Sequence, residues 1–168
     1  NLLKRQRDAV GLSVFSEKVD LHTPERTTTQ HHQLLLYELE KMWNHQAEQK
    51  STFAVDALHE IAENIHKRSL VILFTDMMDN SERADELFAA LQHLKFNKHE
   101  VILFHVHDYA KEVVFEYSNR PHRFIDLESG EEVKLSSNAI KNEYQQKQED
   151  FFKEIKLKCA QYQIDLVE

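Results

Sequence analysis

The chain has 168 residues, 41% hydrophobic and 30% charged, enough for one domain with its own core and ordinary for a globular protein. A net charge of -8 argues against a nucleic-acid surface, because phosphate contacts need a clustered positive face. No apolar run reaches the length of a membrane-spanning helix, and the lone Cys159 allows no intrachain disulfide, so a reducing compartment, the cytoplasm, is the simpler expectation.

Residues 1–9, NLLKRQRDA, read as the polar tail of a helix in which only Leu2 and Leu3 can face a core. Ala9 to Phe15, AVGLSVF, is short, apolar and β-rich, and predicts a buried strand. Residues 16–29 are polar, carry Thr23-Pro24-Glu25 and three consecutive threonines, and read as a long connection with an exposed edge strand allowed at its start. From Gln30 to Trp43, Leu34, Leu35, Leu36, Leu39 and Met42 fit a helix, and Val55, Leu58, Ile61, Ala62 and Ile65 line one stripe of a second. Leu70 to Phe74, LVILF, is apolar at every position. Such a strand is expected to be covered on both faces, as in a parallel sheet between helix layers.

Ala84, Leu87, Phe88, Leu91 and Leu94 then recur at helical spacing, and Glu100 to Asp108, EVILFHVHD, predicts another strand. Between Lys111 and Leu135 the period drops to two in EVVFEY, RFIDLE and EEVKL, which predicts a small β-hairpin insertion over 111–135 with Ser129-Gly130 as a turn. A long helix is expected from about Ser137 to Gln161, with Ile140, Tyr144, Phe151, Ile155 and Cys159 on one side, and IDLV as a last strand. The order implies a single α/β domain over 1–168. Its sheet is expected to be doubly wound and mostly parallel, with helices on both faces.

The chemistry gathers at the end of LVILF. Ligands of open parallel sheets collect at the carboxyl ends of the strands, and Asp76 stands just past one. Asp79, with Glu82 three residues on, has the capping-box arrangement in its Asp form and so has a purely structural reading. Thr52, beside Ser51, has the same alternative as a helix N-cap. His105 and His107 share a strand face and with Asp108 offer zinc ligands, but no third and fourth ligand stands at a usual spacing, and polar strand-end residues explain them more simply. His31 and His32 read as solvated or capping, Cys159 as a buried inert thiol, and Phe151, Phe152 and Tyr162 as core. The acidic pairs Glu131-Glu132 and Glu149-Asp150 read as solvated faces. No Gly-rich phosphate loop and no Gly-x-Ser-x-Gly elbow is present.

Several ordered stretches resemble one family. RSLVILFTDMMDN is similar to the strand and turn that carry the third metal motif of von Willebrand factor A-type domains, and more specifically resembles the bacterial DUF58 family. LLKRQRDAVGLSVFSEKV, STFAVDALHEIAENIHKRSLVILFTDMMD, KHEVILFHVHD and FIDLESGEEVKL resemble that family's successive segments, so the likeness covers nearly the whole chain. The resemblance implies a von Willebrand A/Rossmann-like fold and an Mg²⁺ ion held by three loops. Thr52 matches the second loop and Asp76 the third. The first loop, Asp-x-Ser-x-Ser, occurs nowhere in the sequence. The resemblance therefore implies an N-terminal truncation that removes the first central strand and the main metal loop. Metal affinity in the fragment is expected to be weak or absent, and a second copy filling the missing strand is one way to close the sheet.

Two functional classes follow. The first is a non-enzymatic protein-interaction or adaptor domain; the family association implies a MoxR-like AAA+ ATPase as partner. The alternative is an Mg²⁺-dependent phosphohydrolase using Asp76 and Asp79. Enzymes that use a strand-end Asp as nucleophile need a second Asp two residues later, where this chain has Met78.

Overall fold

Val10–Phe15 (β1) and Val19–Arg26 (β2) pair antiparallel, with register shifts between Val10 and Leu12 and between Val14 and Phe15. The first shift has a local cause at Gly11. A Cβ there would meet the Thr23 carbonyl oxygen at 2.7 Å, so only glycine tolerates the close approach. Thr23 locks the bulge, its hydroxyl accepting from Leu12 N at 2.8 Å and donating to the Leu12 carbonyl at 3.1 Å. The computed structural model describes residues 5–16, 18–44, 54–76, 84–118, 120–125 and 132–168. The chain divides into two compact units, Asn1–Ser69 with Asp79–Lys98, and Leu70–Met78 with His99–Glu168.

In the first unit, β1 is half-buried, not the buried strand expected from its apolar run, because β2 is its only strand partner among the described residues. The polar stretch read as a long connection with an edge strand allowed at its start holds β2, whose alternate residues Val19, Leu21, Thr23 and Glu25 turn inward. Helix α1 spans Thr29–Asn44. Thr28 caps it, its hydroxyl accepting from His31 N at 3.2 Å. His31 is not solvated: its side chain is buried, with Nε2 2.9 Å from the Val10 carbonyl. Of the expected apolar stripe only Leu35 is buried; Leu34, Leu36, Leu39 and Met42 are exposed.

Helix α2, Ala54–Asn64, and helix α3, Ala84–Phe96, pack together. Val55, Leu58 and Ile61 from one side and Leu87, Phe88, Leu91 and Leu94 from the other are buried, as the helical spacing predicts. Ala57, Ala62 and Ala90 are also buried, and such small side chains let the helices approach closely. Asn97 donates through Nδ2 to the Ala62 carbonyl at 3.0 Å and fixes the crossing.

In the second unit, Leu70–Thr75 (β3), Glu100–His105 (β4) and Asp165–Val167 (β7) form a parallel sheet in the order β3-β4-β7. A mixed α/β architecture with a parallel sheet is thus observed. Within this unit the described residues cover one face of LVILF. Leu73, Val101, Leu103 and His105 are buried on one face, while Leu70, Ile72 and Phe74 on the other are 53%, 46% and 63% exposed. An unbroken apolar run gives the same pattern whether one face or two find cover within its own unit.

The hairpin consists of Pro121–Ile125 (β5) and Glu132–Ser136 (β6), antiparallel. EVVFEY, expected to be a further strand of the 111–135 insertion, is not one: Tyr109–Val113 is a π-helical turn capped by Asp108. Helix α4 occupies Ser137–Gln161, as expected, with Ile155 and Cys159 buried. Each parallel strand is entered through a left-handed residue, Arg68, Lys98 or Gln163, none of them glycine. At Gln163 this is a Schellman ending of α4, with Ile164 N bonded to the Cys159 carbonyl at 2.9 Å and Gln163 N to the Ala160 carbonyl at 3.3 Å.

Candidate functional site

The carboxyl ends of β3, β4 and β7 come together by register. Thr75 stands opposite His105, and Val106 N donates to the Thr75 carbonyl at 2.9 Å. Phe104 stands opposite Val167, which places the last residue, Glu168, at the same end. Asp76 follows β3 directly and is exposed. Its carbonyl accepts from His105 Nε2 at 3.0 Å. That bond sets the tautomer: with the hydrogen on Nε2, the Nδ1 of a neutral His105 is a bare acceptor.

His105 is 6% exposed and lies against the edges of Phe151 and Phe152, with ring centroids 6.2 and 5.2 Å away. Burial holds its pKa below the ordinary value, and the neighbouring His107 pushes the same way; the Asp76 carbonyl, Glu168 and Glu112 oppose the shift. The His107 ring is 5.1 Å from His105, although β4 ends before it. Among the described residues, His105 Nδ1, His107 Nδ1 and Glu112 Oε2 are buried polar atoms without a hydrogen-bond partner. Buried orphan acceptors cost free energy unless a donor meets them, and three in one neighbourhood mark this end of the sheet as unusual.

Asp108 does not join the histidines as a zinc ligand. Its Oδ1 accepts from Ala110 N at 3.0 Å and Lys111 N at 3.2 Å, the work of a cap. Thr52, Asp79 and Glu82 lie outside the described residues, as does the Ser129-Gly130 turn. Of the implied Mg²⁺ pair only Asp76 is described, and among the described residues no group of three or more His, Cys, Asp or Glu side chains is arranged to hold a metal ion. Cys159 is buried, and burial pushes its thiol up to about 11, which suits an inert side chain and not a nucleophile. Sequence reasoning missed Glu112 and Glu168. Glu168 was within reach of it, because a last parallel strand ends where β4 ends; Glu112 sits in the stretch misread as a strand.

These features define a mixed α/β protein whose polar groups gather at the carboxyl ends of parallel strands. The chain belongs to the DUF58 family: the family model described as "Protein of unknown function DUF58" matches residues 1–152. No curated protein and no solved structure matches it. Among the described residues, no helix is long and apolar enough to cross a membrane.

Proposed function

We propose that this chain is a non-enzymatic interaction domain of von Willebrand A type, acting as an adaptor for a MoxR-like AAA+ ATPase. The partner contacts the carboxyl end of the β3-β4-β7 sheet, with the Asp76 side chain at the contact. The observation that carries this reading is the position of Asp76, exposed and directly after a strand of a parallel sheet, where α/β folds collect their ligands. A Doubly wound sheet of Rossmann type and a second contribution from Thr52 belong to the same proposal. Phe151 and Phe152 pack against the buried His105 at this end of the sheet.

Affinity capture of a purified MoxR-like ATPase by the immobilised chain tests the proposal, run in Mg²⁺ and in EDTA. Retention of the ATPase supports it, and the two buffers report whether the contact uses the ion. No retention in either buffer contradicts it. A phosphatase screen with generic phosphate esters runs beside it: turnover that Asp76→Asn abolishes would establish the hydrolase alternative instead. Calorimetric titration of the chain alone with Mg²⁺ is expected to give no constant of micromolar strength or tighter.

A further inference from the structure

Helices α2 and α3 carry a feature that the interaction reading does not use. His59 and His93 face each other across the helix pair, Nδ1 to Nδ1, at 3.0 Å. The rings are 5.2 Å apart between centroids and tilted by 42°. Both side chains are half-buried, so solvent ions reach them. In this contact one ring donates Nδ1–H and the other accepts, an arrangement that requires the acceptor nitrogen to be unprotonated.

We propose that His59 and His93 form a two-histidine clamp for a divalent transition-metal ion: the ring that donates Nδ1–H takes its tautomer with the hydrogen on Nε2, so that both neutral rings turn an Nδ1 lone pair to the ion. Two imidazole nitrogens held ~2.0–2.1 Å from a zinc ion stand ~3.0–3.4 Å apart at ligand angles between a right angle and the tetrahedral value. The observed separation falls at the short end of that range, so the rings need no large movement. Imidazole suits zinc, copper and nickel, whereas Mg²⁺ prefers oxygen ligands. Water completes the coordination.

The surroundings favour a cation. Asp56 and Glu63 lie one turn to either side of His59 on α2, with Glu60 next to it, and all three are exposed. On α3 the charged neighbours of His93 are Lys95, two residues on, and Asp85 and Glu86 at the far end. Near the end of α2, Glu25 of β2 accepts from His66 N at 3.1 Å, and the exposed Lys67 and Arg68 follow His66 in the chain. The clamp is also rigid: Leu58, Ala62, Ala90 and Leu94 are buried on the same two helices, and the Asn97–Ala62 bond fixes their crossing. Preorganised ligands lose little freedom on binding.

Thermal unfolding of the whole chain, stripped of metal and then given 100 μM zinc chloride (roughly a working excess over a micromolar site), tests this. The wild type is expected to gain about 4 °C in Tm. His59→Gln and His93→Gln should each lose that gain, while His66→Gln and His122→Gln keep it. No gain in the wild type overturns the proposal, as does a gain that survives in both clamp variants, which would mean adventitious binding by other histidines. Since those variants also lose the hydrogen bond, a second readout uses the wild type itself. One equivalent of Cu²⁺ should give an electron spin resonance spectrum coupled to two imidazole nitrogens, and coupling to one or none counts against the clamp.

Discussion

The two faces of the β3-β4-β7 sheet are made from equally apolar sequence but differ in cover. On one, Leu103 is fully buried, and Phe151 and Phe152 of α4 pack against His105 at its end. On the other, Phe74 stacks on Phe104 with ring centroids 4.8 Å apart, yet Leu70, Ile72 and Phe74 stay exposed. The difference teaches that apolar composition sets what a strand can bury, while the neighbouring elements decide what it does bury.

Stability measurements should separate the faces most strongly. Leu103→Ala is expected to cost about 3–5 kcal/mol in urea unfolding, the loss of buried contacts plus a cavity. Ile72→Ala on the open face should cost less than about 1 kcal/mol, since much of that side chain already meets water. Equal costs would mean that the open face is covered in solution.

The covered face should also respond to pH at both extremes. His105 has a depressed pKa in the folded chain, so the unfolded chain binds its proton more readily. Its contribution is present above the ordinary histidine value of 6.5 and is lost as pH falls toward the folded value. Cys159 has a raised one: its contribution is whole below 9.0 and is lost as pH rises through about 11. Tm against pH should therefore fall on both sides, and Cys159→Ala should flatten the alkaline limb alone. An unchanged alkaline limb in that variant would contradict the assignment.

A smaller effect tests how the covering helix hands the chain to β7. Gln163 holds φ 56°, a conformation that costs a residue with a side chain more than it costs glycine. Gln163→Gly should raise stability by about 0.5–1 kcal/mol. A loss would mean that the Gln163 side chain makes a compensating contact.

Much of the fold is legible in the sequence where one period persists. The α4 boundaries, the buried stripe of α2 and α3, and the three parallel strands all follow from apolar spacing. What was not legible depends on contacts distant in sequence. The full extent of β2 is disguised by Pro24 and its charges, although Val19, Leu21 and Thr23 alternate inward once β1 pairs with them. The burial of His31 depends on a carbonyl at Val10, 21 residues away. EVVFEY has the period of a strand, yet the Asp108 cap turns the chain into a π-helical turn first. At the candidate site, Asp76 and His105 were readable as strand-end polar residues. The buried Glu112 Oε2 without a hydrogen-bond partner and the His59–His93 pair arise only when separate elements are brought together.

The central claim is that partners meet this domain at the carboxyl end of the sheet and not on its open apolar face. The direct test is the equilibrium affinity of a MoxR-like ATPase for three chains: wild type, Asp76→Ala and Ile72→Asp. The account predicts at least about a tenfold loss, or 1.4 kcal/mol, for Asp76→Ala and unchanged affinity for Ile72→Asp. Unchanged affinity for Asp76→Ala with a loss for Ile72→Asp would contradict it.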